Sequence, residues 1–297
     1  MGTTLRRIRK FVQKSAKLAD LGAEETMLAS AVVAAISRNG TCLVSDVART
    51  LGGPEDLREA VRPLYDGLSR KRSALDGLPD AWLRTVAGTA DRMPFIAVDP
   101  SDIAKPHGKT FEHLDFVRDA SDIDKRKVPG FHTVEVEATD ERHRNLPLRH
   151  EVFSTKDPDY PGWYETIARA VRAVLARTGR RATWLFDRGC DAGEFYDFLD
   201  TLDIALVVRQ LATRNVLVGD GRQILMADLA ASIGKPHDLL VPYVHKKTHE
   251  PRHWPVRFGF APVRLPGREG RRWMVVVTGL RKDDMVLLTN KDIRRTD

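Results

Sequence analysis

Two short apolar runs constrain this chain more than any other feature. They are Phe95-Ile96-Ala97-Val98 and Thr183-Trp184-Leu185-Phe186, and each is followed at once by an aspartate, Asp99 and Asp187. Runs of this length next to polar residues read as buried strands, so each aspartate is expected at a strand's C-terminal end. Between them Phe131 to Ala138 alternates as a half-buried strand, and Leu146 to Phe153 reads as its hairpin neighbour across the polar stretch Thr139 to Asn145. A helix is predicted from about Pro161 to Arg177, with Ile167, Val171, Val174 and Leu175 on one face and Gly179 at its end. Another helix covers Asp191 to Leu202, and Ile204 to Val208 is a further strand. The order strand, hairpin, helix, strand, helix, strand predicts an α/β domain.

The flanks differ. The first 90 or so residues read as helical. Glu24 to Arg38 carries Met27, Leu28, Ala31, Val32, Ala35 and Ile36 at helical spacing and closes on Asn39-Gly40. A short helix starting near Ser45, a break at Gly52-Gly53-Pro54 and a second helix over Glu55 to Leu68 fit either a helix-turn-helix or any small helical bundle. From Arg209 onward the pattern is β-rich. A hairpin is predicted over Asn215 to Met226 around Gly219-Asp220-Gly221, with strands at Val256 to Leu265, Arg272 to Leu280 and Met285 to Thr289. The expected division is 1–92 helical, 93–212 the first part of the α/β core, and 213–297 a β-rich insertion.

With 297 residues and 42% hydrophobic side chains the chain can bury a substantial core, which excludes wholesale disorder. Lys plus Arg number 48 against 41 Asp plus Glu, a net charge of +7 that suits a phosphate-bearing partner. The basic stretch from Arg6 to Lys17 adds to this, and no apolar h-region follows it, so it is not read as a secretory signal. Cys42 and Cys190 form no CxxC pair, which argues against a disulfide framework or a cysteine zinc site. No apolar run reaches the roughly 18 residues of a membrane span. The expected location is the cytoplasm of a prokaryote-like cell, in association with the nucleoid.

Two carboxylates at neighbouring strand ends repel unless a divalent cation lies between them, and Mg²⁺ takes one or two carboxylates together with substrate phosphates. Paired cations about 3.5–4 Å apart support phosphodiester chemistry without a covalent enzyme intermediate. Singly, each aspartate reads as an ordinary strand-end or cap residue. As a pair on this strand and helix order, they read as a metal site.

The run Trp184-Leu185-Phe186-Asp187-Arg188-Gly189-Cys190-Asp191-Ala192-Gly193-Glu194-Phe195-Tyr196-Asp197-Phe198-Leu199 resembles the second-aspartate motif of bacterial insertion-sequence transposases of the DDE type, those with a β-strand insertion in the catalytic core. Ile96-Ala97-Val98-Asp99-Pro100-Ser101-Asp102-Ile103-Ala104-Lys105 resembles the family's first motif: a strand-closing aspartate, then a hydroxyl residue and a lysine. Val286-Leu287-Leu288-Thr289-Asn290 resembles the strand that leaves the insertion. The resemblance covers about Pro94 to the C-terminus. It implies a ribonuclease-H-like core with a β-rich insertion, preceded by an all-α N-terminal domain. It implies that Asp99 and Asp187 are the first two catalytic acids and ligands of Mg²⁺ or Mn²⁺, with Asp102 a rival for the first role. It further implies double-stranded DNA as partner, both element terminal repeats and target, and a homodimer on paired ends.

The family's third motif places tyrosine, arginine, glutamate and lysine on a helix after the insertion. Lys291 to Asp297 contain neither tyrosine nor glutamate, so the chain is expected to stop before that helix. Glu194, Glu250 and Glu269 lack the expected helical setting. Two functions therefore stand side by side: a transposase that cleaves and transfers DNA strands, and an inactive DNA-binding remnant or regulator. A third, a ribonuclease-H-like nuclease of another family, needs a third acid from within the chain.

Other residues are expected to face DNA. Arg188 reads as a phosphate contact or a structural ion-pair partner. Lys105, His107 and Lys109 form a basic loop suited to phosphates, or a solvated one. His245, His249 and His253 are spaced by four, but Pro242 and Pro251 interrupt the helix a zinc site would need. Lys246, Lys247, Arg252 and Arg257 with Trp254 read as a DNA-facing loop. In the resembling family the insertion approaches a flipped base, for which Trp254 and Trp273 are stacking candidates or simply core. Glu135 and Glu137 are expected to face solvent or to pair with Arg144 or Arg149.

Overall fold

The computed structural model describes residues 2–40, 43–52, 57–68, 77–118, 126–142, 144–245, 248–280 and 283–293. The chain separates into two compact units, Met1–Thr89 and Ala90–Asp297. No described helix is long and apolar enough to cross a membrane.

The first unit is helical: α1 (Gly2–Leu18), α2 (Ala23–Asn39), α3 (Val44–Gly52), α4 (Leu57–Leu68) and α5 (Leu78–Ala90). The predicted end of α2 holds. Gly40 takes φ 67°, a conformation that favours glycine, and its N–H caps the Ile36 carbonyl at 2.8 Å. The apolar stripes of α2, α3 and α4 meet in a core of Ala35, Val47, Ala48 and Leu64. The Gly53-Pro54 break of the helix-turn-helix reading lies outside the described residues.

The second unit is α/β with a mixed sheet. Its elements are β1 (Phe95–Ala104), β2 (Asp115–Arg118), β3 (Lys127–Thr139), β4 (Asn145–Phe153), α6 (Trp163–Thr178), β5 (Thr183–Phe186), α7 (Gly193–Asp200), β6 (Ala205–Arg209), β7 (Asn215–Leu217), β8 (Gln223–Leu225), α8 (Met226–Ser232), β9 (His237–Val244), β10 (Pro251–Val263), β11 (Arg272–Thr278) and β12 (Met285–Thr289). The sheet order is β2-β3-β1-β5-β6-β12-β11-β10-β9, and β4 also pairs β3. The pairs β1–β5 and β5–β6 are parallel, and the others are antiparallel. The parallel strands are apolar on both faces because sheet and helices cover them. Ile96, Val98, Trp184, Phe186, Leu206 and Val208 are buried there, as are Ile167, Val171 and Val174 of α6.

Two expectations are corrected, and one pair of alternatives is decided. β1 does not end at Asp99: β3 accompanies it to Ala104, so ladder bonds extend the strand through Ser101 and Asp102, where composition signals a turn. The histidine and tryptophan segment is mostly not a loop. β9 and β10 form a long hairpin with Arg252, His253 and Trp254 on a strand, and the His245 N–H donates to the Glu250 carbonyl at its end. Trp273 packs edge-on to Phe260 and is 5% exposed, so it belongs to the core.

β12 pairs β6, which joins β9–β12 to the earlier strands in one sheet. Asn290 secures that join: its side-chain oxygen accepts the Leu206 N–H at 2.8 Å, and its amide donates to the Ile204 carbonyl at 2.7 Å.

Candidate functional site

The parallel register sets Val98 opposite Phe186, and the next residue on each strand is an aspartate. β5 stops there. Its chain folds into a single 3-10 turn over Arg188–Cys190, with the Cys190 N–H donating to the Asp187 carbonyl at 2.9 Å. β1 continues, so Asp99 stands directly across from Glu135 of β3. Partial burial raises the Asp99 carboxyl above the usual range, and the carboxylates of Asp187, Glu135 and Glu137 push it in the same direction. Asp99 thus sits in a concentration of negative charge.

Two residues of this site were not legible as such. Arg209, the last residue of β6, donates from Nη1 to the Asp187 carboxylate at 3.1 Å. Nothing local to Arg209 points to Asp187; only the parallel β5–β6 pairing does. Glu135 was expected to face solvent or an arginine. Its side chain is half-exposed, as expected, and lies 3.5 Å from His150, while Arg144 pairs with Asp140 and Arg149 with Glu151. Strand alternation placed Glu135 and Glu137 on one face; the register with β1 makes that face the one Asp99 shares.

Cys190 is fully buried behind this face. Burial, then Asp187 and Asp99, push its thiol far above the ordinary range, so it is an inert packing residue. Among the described residues no three His, Cys, Asp or Glu side chains group as ligands for one metal ion. Asp102 alternates to the other sheet face, where its carboxylate meets His132 Nδ1 at 2.7 Å.

The remaining candidates are dispersed. Arg188 is exposed beside Asp187. Lys105 follows β1, its N–H donating to the Pro129 carbonyl at 2.6 Å. At about 3.3 Å per strand residue it lies roughly 20 Å past Asp99. Lys109 is exposed farther along that loop. Arg252 pairs with Glu250 at 3.1 Å on the β9–β10 hairpin. Trp254 is 41% exposed, packs 5.2 Å from the Tyr243 ring, and donates its indole N–H to the Gly279 carbonyl. Lys246 and Lys247 lie outside the described residues.

Asp99 has a testable signature. Its folded pKa exceeds the unfolded one, so the folded state binds that proton more tightly. The penalty for ionised Asp99 is full above its raised folded value, fades as pH falls through that value, and is gone below the ordinary carboxylate range. Asp99→Asn is therefore expected to raise Tm near pH 7 without added cations and to leave it unchanged near about pH 3. Thermal melts at both pH values check this; no rise at neutral pH would remove the charge crowding.

No protein-family model matches the sequence, and no curated protein matches it. Among solved structures, the chain is similar to a piggyBac transposase in a synaptic complex with hairpin DNA, at 8% sequence identity and a TM-score of 0.41. That superposition covers 97% of this chain and 52% of the other, so the chain spans about half the length of that transposase.

Proposed function

We propose that this chain is a DNA transposase of the DDE type with a ribonuclease-H-like core, acting on double-stranded DNA at element ends and target. The observation that carries the reading is the adjacency of Asp99 and Asp187 at one end of the parallel β1–β5 pair. The strand order β4-β3-β1-β5-β6 supports it, since a hairpin beside β1 and two parallel strands on its other side are what such a core requires. The motif around Asp187, quoted above from an insertion-sequence family, supports it further. In this reading the chain divides into 1–92, a DNA-binding helical domain, 93–212, the core, and 213–297, the β-rich insertion.

The donor set fits a hard divalent cation, Mg²⁺ or Mn²⁺. Both groups are oxygen ligands, and the repulsion that raises Asp99 is what a dication relieves. A cation held there by Asp99 and Asp187 would supply polarisation of a phosphodiester oxygen and activation of an attacking hydroxyl or water. The chain's own residues do the rest. Asp99 and Asp187 hold it, and Arg209, which neutralises Asp187 in its absence, is placed to engage a phosphate once displaced. Arg188, Lys105, Lys109, Lys246, Lys247 and Arg252 contribute phosphate contacts, and the exposed ring of Trp254 offers a stacking face. A homodimer on paired ends and a nucleoid location belong to the same reading.

A second reading, DNA binding without cleavage, draws on the net charge of +7 and needs no metal site. One experiment separates the two. Supercoiled plasmid is incubated with the protein and Mg²⁺, Mn²⁺ or chelator, and binding is followed against salt. Cation-dependent nicking supports the transposase. Salt-sensitive binding without nicking supports the second reading. No binding at low salt overturns both.

A further inference from the structure

The turn that carries Asp187 is fastened by an ion pair, buried on the Asp191 side and part-exposed on the Arg214 side, that the proposed chemistry does not use. The Asp191 side chain is 2% exposed. One carboxylate oxygen accepts the Leu211 N–H at 2.8 Å, and the other accepts Arg214 Nη2. The Asp191 N–H donates to the Arg188 carbonyl at 3.1 Å, closing the 3-10 turn itself. Leu211 stands two residues after Arg209, whose guanidinium holds Asp187. The same two segments are therefore tied twice, at Asp187–Arg209 on the accessible side and at Asp191–Leu211–Arg214 on the buried side.

The segment after β6 is anchored further. Gln210 donates to the Tyr196 hydroxyl at 2.7 Å, and the Arg214 guanidinium lies 5.0 Å from the Tyr196 ring centroid. Arg214 Nε and Gln210 Oε1 are buried without a hydrogen-bond partner among the described residues. A buried ion pair with unsatisfied atoms is a poor way to gain stability, because apolar residues of similar volume serve as well or better. What it supplies is direction: a carboxylate clamped by a backbone N–H and a guanidinium fixes the turn at one register.

We infer that Asp191, with Arg214, is a positioning residue that holds Asp187 against Arg209 and beside Asp99. The importance of that role for catalysis rests on the proposed function; the stapling itself does not. It belongs to the shell behind a ligand, where loss of a partner typically lowers metal affinity or activity about 10–100-fold.

The test compares wild type with Asp191→Ala, Asp191→Asn and Arg214→Lys, and with Val256→Ala, a buried change on β10 paired with Leu239 of β9, which lowers stability away from the turn. The first readout is the Arg209 guanidinium by ¹⁵N NMR, which shows slow, restrained Nη signals while Asp187 holds it. Asp191→Ala is expected to abolish the restraint. Asp191→Asn, which keeps an acceptor for Leu211, is expected to restore it in part, and Val256→Ala to leave it intact. If Asp191→Ala does not fold, Asp191→Asn and Arg214→Lys carry the same readout. The second readout is Mn²⁺ affinity, expected to fall about 10–100-fold in Asp191→Ala or, if that variant does not fold, in Arg214→Lys. Wild-type restraint of Arg209 in the folded Asp191 and Arg214 variants overturns the inference. Failure of wild type to bind Mn²⁺ overturns the proposed metal centre instead, and the NMR result still decides the stapling.

Discussion

Asp187→Ala is expected to lower cation-dependent DNA nicking by more than about a hundredfold, since a residue merely behind a ligand already accounts for about 10–100-fold. The reason is geometric. Asp187 is the one carboxylate that the parallel strand register brings beside Asp99, and its loss leaves a single aspartate for the cation. It also leaves Arg209 without its partner, so a positive charge remains where a dication must bind. Salt-dependent DNA binding is expected to change little, because phosphate contacts are spread over many cationic residues. Plasmid nicking and filter binding on one preparation check both halves. Wild-type nicking by the alanine variant would remove Asp187 from the mechanism.

The second large effect is on folding. Trp184 is fully buried at the centre of β5, opposite Ile96 of β1 and Leu206 of β6, with the Phe186 ring 6.3 Å away. Trp184→Ala is expected to destabilise the α/β unit by about 3–5 kcal/mol through lost burial and the cavity left behind. For a unit of this size that corresponds to a Tm fall of roughly 6–20 °C. Trp184→Phe should be far milder. The indole N–H is buried with no hydrogen-bond partner among the described residues, so phenylalanine removes an unsatisfied donor while keeping most of the volume. Denaturation of the two variants side by side tests the account. Equal losses would mean that the indole N–H has a partner.

The two differ in how visible they were beforehand. Trp184 lies in a short apolar run, and such a run between polar segments has few alternatives to a buried strand. The helices α6 and α7 and the strands β3, β4, β5, β6, β11 and β12 were legible for the same reason: burial of one face prints a period onto the local sequence. β2 and α8 were not. Asp115 to Arg118 is too short to show a period, and Met226 to Ser232 sits against a hairpin whose turn signal dominates its surroundings. β9 and the first residues of β10, Pro251 to Pro255, were missed because they are largely exposed, which removes the alternation that marks a strand, and because the prolines suggest breaks; the strand from Val256 was legible.

For the site, the sequence alone determined that two aspartates follow two buried apolar runs and that a distinctive segment surrounds the second. Local burial imposes such patterns, so they survive in a linear reading. Tertiary structure decided everything that depends on pairing. The β1–β5 register made Asp99 and Asp187 neighbours, β3 carried β1 past Asp99 and set Glu135 across from it, and β6 delivered Arg209 to Asp187. Asp191 reads in sequence as the first residue of a helix; only the segment folded over it, with Leu211 and Arg214, makes it a clamp. Charges that meet across strands leave no periodic trace, because their energy depends on separation in space and not along the chain.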